Sequence, residues 1–452
     1  MKNFFALLCI VVALNATAQP DRWQQAVDYK MDIQMDVSKH QFTGIQTLKY
    51  TNNSPDTLSR VFYHLFFNAF QPGSMMDVRS LNIEDPSRKI GDRISKLQPD
   101  EIGYLYPTSM IQNGEKVRYK VVGTILEVEL NHGILPNSTA TFDMAFEGQV
   151  PVQIRRSGRN NAEGIDYSMA QAFPKMVEYD YEGWHANPYI AREFYGVWGN
   201  YDVKITIDKD YVVAGSGIIQ NGNEVGNGYE DEGVKVKAKG KTRTYHFKAE
   251  NVHDFMWAAD RDYVHKTVEV PNGPVMHYFY QEDSITRETW PELMRQSPKF
   301  VTFMNERFGK YPYPVFYVVQ GGDGGMEYPM STLINGRGSL RGLIGVTIHE
   351  MFHSWYQGVL ASNESLHSWM DEGFTSYGSA VTGAYLRDSD AYPMARSFQG
   401  YYMLANSGKQ EPMTTQSDHY HTNYAYGVSA YTMGSLVPAM MEYIMGEETF
   451  QK

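Results

Sequence analysis

The sequence predicts a multidomain protein in which an N-terminal antiparallel β domain precedes an α+β domain. The chain has 452 residues, more than one hydrophobic core usually organises. Apolar and polar residues alternate, as in half-buried strands, from about residue 29 to about residue 270. From about residue 262 the apolar spacing becomes helical. We therefore expect domains at residues 19–260 and 261–452.

Five stretches of the first part are predicted as strands because apolar and polar residues alternate in them. Turn-forming segments such as 52-NNSPD-56 separate the strands. Aromatic residues make up 14% of the chain, with 33 tyrosines. They are consistent with a sugar-binding surface or with cross-strand packing, and the β-rich pattern favours packing. The five stretches are residues 29–37, 125–130, 139–146, 201–207 and 242–250.

The second part mixes helices and strands. Residues 285–309 have helical apolar spacing, and Gly309 is expected to end that helix. The apolar run at residues 315–320 predicts a buried strand. A glycine-rich turn, GGDGG at residues 321–325, leads into a second strand-like run at residues 326–334, and two or three helices follow.

The N-terminus predicts a signal peptide at residues 1–18. Lys2 precedes an apolar run at residues 4–14, and Ala16-Thr17-Ala18 fits the small-x-small cleavage rule. A membrane anchor is the alternative, but this run is too short to span a bilayer. We expect a secreted or periplasmic protein without a stable membrane anchor. Its only cysteine, Cys9, falls in the cleaved segment, which excludes disulfides and thiolate catalysis in the mature chain. The net charge of −12 argues against a nucleic-acid partner.

A metal site is predicted by 346-VTIHEMFHSWYQG-358, which contains His-Glu-x-x-His. On a helix, His349 and His353 lie about 40° apart and one turn along, so both imidazoles can reach one ion. Glu350 lies on the flank of the same face, within reach of a metal-activated water. Two ordinary helix histidines are the alternative interpretation, because a catalytic zinc needs a third protein ligand.

Glu372 in 367-HSWMDEGFTSYGSA-380 is the predicted third ligand. Eighteen residues separate it from His353, and a helix that begins near Trp369 would place it opposite the histidines. Two histidines and one glutamate leave the fourth position open, as in catalytic zinc sites. Asp371 is expected to face elsewhere and to orient a ligand.

Together these motifs resemble the gluzincin aminopeptidases of peptidase family M1, which includes aminopeptidase N. The family pattern HExxH-x18-E matches residues 349–372, with Trp355 and the WMDEGF block at residues 369–374. The family's G-x-M-E-N motif is similar to residues 324–328, but Tyr328 replaces the asparagine.

A third family motif, Y-x-x-G, resembles residues 431–434. Met433 stands where many members carry lysine. Tyr424 and Tyr426 are competing candidates, but the apolar helical run SLVPAMMEYIM follows Tyr431 as it does in the family. The sequence therefore favours Tyr431.

The resemblance implies a secreted zinc aminopeptidase that acts on peptides with a free N-terminus. It implies one Zn²⁺ per chain, held by His349, His353 and Glu372. Glu350 would be the general base, and Tyr431 would donate a hydrogen bond to the oxyanion of the tetrahedral intermediate.

The resemblance also implies the substrate-binding residues. Glu327 would bind the α-amine, with Gly325 and Met326 beside it. Gln171, in 167-YSMAQAFPKMVEYD-180, is the candidate second amine anchor, and Glu178 is a weaker one.

The fold implied by the resemblance is an N-terminal antiparallel β saddle domain followed by a thermolysin-like α+β catalytic domain. Family members continue with a helical C-terminal domain, so we expect the chain to be truncated before it. Two alternatives stay open: a zinc endopeptidase or other hydrolase on the same site, and a non-catalytic binding protein that retains the fold.

Overall fold

The computed structural model of the chain describes residues 23–192, 194–237 and 240–452. The predicted signal peptide at residues 1–18 lies outside these described residues. Among the helices that the structure describes, none combines the length and the apolar character needed to cross a membrane.

Strands make up most of the regular structure before residue 261, and all five predicted stretches are strands. In β1 buried and exposed side chains alternate along the whole strand, as the sequence predicts. The strands are β1 (Ala26–Asp36), β2 (Gln41–Asn52), β3 (Leu58–His64), β4 (Tyr104–Gln112), β5 (Glu115–Lys116), β6 (Arg118–Val122), β7 (Ile125–Ile134), β8 (Ser138–Gln149), β9 (Gly158–Arg159), β10 (Tyr167–Met169), β11 (Lys175–Met176), β12 (Tyr179–Asp180), β13 (Gly183–Trp184), β14 (Gly199–Asp208), β15 (Val212–Gly215), β16 (Ile218–Ile219), β17 (Thr242–Val252) and β18 (Trp257–Asp260).

The largest sheet has the order β16-β17-β14-β1-β2-β8-β4-β5. β1 and β14 pair in parallel, an exception within the antiparallel β domain that the sequence predicts. The long excursion between β8 and β14 brings the chain back in the same direction, as a parallel neighbour requires. Two four-stranded sheets, β15-β18-β10-β9 and β11-β3-β7-β6, and the two-stranded sheet β12-β13 also belong to this domain.

The interior of the chain is rich in tyrosine. Most of the largest fully buried side chains are tyrosines, and Tyr29 and Tyr201 stack with ring centroids 4.7 Å apart. The aromatic content therefore serves packing to a large extent, which is the interpretation that the sequence favours.

The second domain is built on a five-stranded mixed sheet of order β19-β20-β21-β23-β22. The predicted strand at residues 315–320 is β21. The predicted single strand at residues 326–334 is instead a hairpin, because the chain turns at Pro329 and Met330, and Met330 has φ +57°. The hairpin makes β22 an edge strand. The strands are β19 (Tyr263–Glu269), β20 (Val275–Gln281), β21 (Val315–Gln320), β22 (Gly325–Tyr328) and β23 (Ser331–Ile334).

Most of the helices belong to the second domain, and α3 is the helix predicted at residues 285–309. The helices are α1 (Met75–Asn82), α2 (Gly222–Val225), α3 (Thr286–Phe308), α4 (Leu340–His353), α5 (Ser368–Leu386), α6 (Ala395–Ser407), α7 (Asn423–Gly427), α8 (Gly434–Met445) and α9 (Glu447–Phe450). Two π-helical turns, Ser354–Val359 and Val428–Met433, follow α4 and α7 directly.

The change of sheet along the chain indicates where the two domains meet. β18 pairs with β10 and β15 in the first domain, whereas β19 pairs with β20 in the second. Residues 261–262 separate these two strands. We therefore propose the predicted boundary between residues 260 and 261 as the domain boundary.

Candidate active site

Helix α4 carries three of the predicted site residues and ends at the last of them. Its first turn is capped by Ser339, whose Oγ accepts a hydrogen bond from Gly342 N at 3.2 Å. The helix packs against α5 and against the edge strand β22. Glu350 and His353 are buried, and His349 is largely buried, so the helix presents these polar groups to the interior.

Helix α5 brings Glu372 to the two histidines. Its Oε2 lies 3.2 Å from His349 Nε2 and 3.5 Å from His353 Nε2, and the two Nε2 atoms are 3.4 Å apart. Zinc–nitrogen and zinc–oxygen bonds of about 2.0–2.1 Å in a tetrahedron place ligand atoms about 3.3–3.4 Å apart. These three residues therefore fit a zinc ion.

Asp371, the neighbour of Glu372, orients one of the histidines. Its Oδ1 lies 2.6 Å from His353 Nδ1, and Asp371 is fully buried. A carboxylate at Nδ1 keeps the proton of the imidazole on that nitrogen and leaves Nε2 free to bind a metal.

The electrostatics of the cluster favour a buried positive charge. Burial disfavours the imidazolium form of His353, but Asp371 and Glu327 raise its pKa well above the usual value. Burial also works against the Glu372 carboxylate, but hydrogen bonds with His349 and His353 lower its pKa below the usual range. Several carboxylates thus surround a point where a cation is strongly stabilised, as a divalent metal site requires.

The edge strand β22 places two predicted substrate-binding residues beside the histidine helix. Glu327 Oε2 lies 3.9 Å from His353 Nε2. A Cβ atom on Gly325 would overlap Glu350 Oε1, so glycine is needed at this position for the strand and the helix to approach. Burial raises the pKa of Glu327 to about 7. Burial and the charge of Glu327 raise the pKa of Glu350 well above its usual value.

Tyr431 also reaches the cluster, from the π-helical turn after α7. Its hydroxyl donates a hydrogen bond to Glu372 Oε1 at 2.5 Å, and its ring stacks on that of His349 with centroids 5.9 Å apart. Of the competing tyrosines, Tyr426 packs its ring against Tyr431 and under the guanidinium of Arg192. Tyr424 is 37% exposed. The geometry favours Tyr431, as the sequence does.

The comparison with known families adds a finding that agrees with this geometry. Residues 294–452 match the model of the peptidase family M1 domain. The predicted resemblance is thereby confirmed, and the matched M1 region contains Glu327, Glu350, Tyr431 and the three predicted metal ligands. No curated protein sequence matches the chain.

Solved structures of M1 zinc metallopeptidases share the two-domain fold. The M1 zinc metallopeptidase from Deinococcus radiodurans has a TM-score of 0.63 and 15% identity, over 95% of this chain and 85% of that one. A two-domain M1 zinc metallopeptidase variant bound to L-tryptophan gives a TM-score of 0.63 and 15% identity, over 95% and 86%. A Deinococcus radiodurans variant bound to a Tyr-Ser-Ala substrate gives 0.62 and 16%, over 95% and 84%. The predicted fold class, a β domain followed by an α+β peptidase domain, is confirmed.

Two predicted substrate-binding residues, Met326 and Gln171, lie on the side of the edge strand β22 that faces away from the histidines. Side chains alternate along a strand, and Met326 and Tyr328 pack into the apolar cluster of the β domain. Gln171 is buried there, where its Oε1 accepts a hydrogen bond from the Tyr328 hydroxyl at 3.1 Å. Its Nε2 lies 3.4 Å from Asp254 Oδ2. The structure thus brings Gly325 and Glu327 to the metal cluster, whereas Gln171 contacts the back of the strand.

Arg156 lies near the candidate site and was not predicted from the sequence. This buried side chain comes from the β domain, and its Nη1 donates to the backbone oxygen of Gly325 at 3.2 Å. Its charge lowers the pKa values of Glu327 and Glu350, and so opposes the effect of burial. An adjacent arginine pair in an otherwise apolar stretch, 150-VPVQIRR-156, is the signal that could have marked it.

Proposed function

We propose that the protein is a secreted, zinc-dependent aminopeptidase that hydrolyses the N-terminal residue from peptides. One observation carries the choice of an aminopeptidase. The Glu327 carboxylate is buried beside the candidate metal ligands, and its Oε1 accepts no hydrogen bond from the part of the chain that the structure describes.

A substrate with a free α-amine supplies what Glu327 lacks. The ammonium group is a charged donor, and a charge-assisted hydrogen bond to a carboxylate is roughly twice as strong as a neutral one. An internal peptide segment has no charge there and would leave a buried carboxylate unpaired, which is costly. Because β22 is an edge strand, the N-terminal segment of a peptide can lie beside it and present its amine to Glu327.

His349, His353 and Glu372 are the residues that we propose as ligands of one zinc ion per chain. A zinc ion held by these residues would lower the pKa of a bound water molecule to about 7 and polarise a carbonyl group. Glu350 accepts the proton of the attacking water and delivers it to the leaving nitrogen. Its Oε2 is buried and accepts no hydrogen bond from the described residues, so it is available for this proton.

Tyr431 is the proposed donor to the oxyanion. Its hydroxyl donates to Glu372 Oε1, the carboxylate oxygen that does not face the two histidines. A substrate oxygen next to Glu372 would compete with the carboxylate for this hydrogen bond. A pre-positioned donor of this kind stabilises charge that develops in the transition state.

The proposed location outside the cytoplasm rests on the sequence of the first 18 residues. The basic, apolar and small-residue segments follow one another as in secretory signal peptides. Export in this way does not require a membrane-spanning helix in the mature protein.

The test is to incubate the purified, zinc-loaded protein with a peptide whose amine is free and with its N-acetylated counterpart, and to identify products by mass spectrometry. We expect stepwise release of single N-terminal residues from the free peptide, with the reaction abolished by a zinc chelator and restored by zinc. Cleavage of the acetylated peptide at internal bonds at an equal rate would indicate an endopeptidase. No cleavage of either peptide by protein that holds zinc would favour a binding protein.

A further inference from the structure

A short segment of the β domain touches two elements of the catalytic domain that flank the candidate metal ligands. We call residues 84–93 the strap. The first element is the glycine-rich turn at residues 321–325, which precedes Glu327. The second is the helical segment at residues 423–433, which carries Tyr431.

One contact of the strap is with the glycine-rich turn. Lys89 Nζ donates to the backbone oxygen of Asp323 and lies 3.3 Å from its Oδ1. Arg155 Nη1 lies 3.4 Å from the other carboxylate oxygen, and the Asp323 side chain is 8% exposed. Gly324 has φ +107°, and a Cβ there would lie 2.9 Å from Lys89 Nζ. The glycine therefore lets the ammonium group pack directly on the turn.

The other contact of the strap is with the start of α7. The two carboxylate oxygens of Asp85 accept hydrogen bonds from the backbone N–H groups of Asn423 and Tyr424, each at 2.8 Å. The backbone oxygen of Asp85 accepts a third bond from Asn423 Nδ2, also at 2.8 Å. N–H groups in the first turn of a helix lack acceptors within the helix. Asp85 thus fixes the beginning of the helix that continues to Tyr431.

The strap is itself held to the β domain between these contacts. Arg93 donates through Nη1 to the backbone oxygen of Lys89 and through Nη2 to that of Gln153, each at 2.8 Å. Ile90, in the middle of the strap, is buried in the apolar core of the β domain. Because Asp85 and Lys89 are four residues apart, their Cα atoms cannot be separated by more than about 14 Å. The strap is therefore a short connection with little freedom.

The geometry of an N-terminal residue requires a fixed distance between the groups that bind it. In an N-terminal residue the amine nitrogen and the carbonyl carbon are bonded to the same Cα, so they lie about 2.5 Å apart. Glu327 and Tyr431, the proposed partners of the amine and of the oxyanion, must keep a matching separation. They belong to different substructures, an edge strand and a helix, and misplacement by about 1 Å can cost on the order of 100-fold in rate.

We propose that the strap sets the separation between Glu327 and Tyr431, so that one amino-acid residue with a free amine fits between them. Asp85 and Lys89 are the positioning residues of this device, and neither acts on the substrate chemically. The inference rests on the proposed aminopeptidase function and deepens it, because it assigns the preference for a free N-terminal residue partly to the β domain.

The test uses zinc-loaded Asp85→Ala, Lys89→Ala and the double variant. We expect each single variant to lower kcat/KM for an amino-acid anilide by about 10- to 100-fold and to reduce the preference for the free amine over the N-acetylated form. The kcat/KM of the double variant should equal that of the more impaired single variant, because release of either end already frees the strap. Asp92→Asn is the matched control, because Asp92 pairs with Lys96, its neighbour in the β domain, at 2.5 Å on the exposed surface. It should behave as wild type.

Hydrogen exchange supplies a second readout that does not depend on activity. Lys89→Ala should accelerate exchange of the Asn423 and Tyr424 amides, and Asp85→Ala should accelerate exchange in residues 321–325, although neither residue touches the segment in question. Unchanged exchange in the remote segment together with an unchanged substrate preference would overturn the proposal. If the wild-type protein releases no N-terminal residue, the proposed function fails, and the exchange data alone decide whether the strap couples the two segments.

Discussion

In the proposed metal half of the site, His349, His353 and Glu372 come from two consecutive helices, whereas in the proposed amine half Glu327 lies on an edge strand held by distant parts of the chain. All residues of the metal half, Glu350 and Asp371 included, lie within residues 349–372. The amine half combines Glu327 with Arg156 and with the strap, which come from the β domain. The residues of the metal half are close together in the sequence, whereas the amine half depends on contacts between residues far apart in the sequence.

This difference predicts that the two halves can be damaged separately. Changes in the metal half should alter zinc affinity or turnover and leave the preference for a free amine intact. Changes in the amine half should alter that preference and leave zinc bound. Substitutions in each half test this separation.

Glu350→Gln tests the metal half at its reactive centre. The substitution keeps the size of the side chain but removes its basicity, so kcat should fall by about 10²- to 10⁴-fold. Zinc content, measured by metal analysis, should equal that of wild type because Glu350 is not among the three residues whose atoms converge. Turnover near the wild-type level would refute the general-base assignment.

Gly325→Ala tests the contact between the halves. The added Cβ would overlap Glu350 Oε1 and lie 2.7 Å from Val346 Cγ2, so Glu350 must move. We expect kcat to fall by roughly 100-fold with zinc retained. Gly338→Ala is the matched control, because a Cβ at Gly338 meets no atom within 4 Å. Equal activity of the two variants would show that Glu350 tolerates displacement.

Asp371→Asn tests the orientation of His353. Loss of the charge at His353 Nδ1 should weaken zinc affinity by about 10- to 100-fold, as measured by competition with a chelator. Once saturated with zinc, the variant should still prefer the free amine. Asp390→Asn, at an exposed position after α5, is the control. A change in substrate preference at full zinc occupancy would contradict the prediction that the two halves act independently.

Gly345→Ala has the smallest expected effect and concerns the helix alone. Gly345 is exposed in α4, and a Cβ there meets no atom within 4 Å. Alanine should raise the free energy of unfolding by about 0.5–1 kcal/mol, as measured by denaturant unfolding of the zinc-loaded protein. Destabilisation by this change would mean that the histidine helix is strained at this point.

The same contrast explains how much could be predicted from the sequence. The metal half was predicted because helical periodicity puts His349 and His353 on one face and because α5 begins next to Glu372. Five long strands, β1, β7, β8, β14 and β17, were predicted because apolar and polar residues alternate along them. The apolar helical run after Tyr431 distinguished it from two nearby tyrosines in the sequence. In the structure its hydroxyl donates a hydrogen bond to Glu372 Oε1.

The features that escaped prediction depend on partners far away in the chain. The parallel pairing of β1 with β14 follows from how the chain returns to the first sheet after a long excursion. Asp85 is one of many acidic residues, and nothing near it in sequence indicates that its partner is Asn423. Arg156 likewise shows no periodic pattern that ties it to Gly325. Contacts of this kind produce no regular residue pattern in the sequence from which they could be predicted.

The most direct test of the central claim is the substrate preference of Glu327→Gln. Replacing the carboxylate by a neutral amide of the same shape removes a charge-assisted contact worth about 1.5–3 kcal/mol. We expect kcat/KM for a free-amine peptide to fall by about 10- to 100-fold, while the rate on its N-acetylated counterpart stays unchanged and zinc stays bound. An equal loss on both substrates, or no loss on either, would contradict the assignment of Glu327 as the anchor of the free N-terminus.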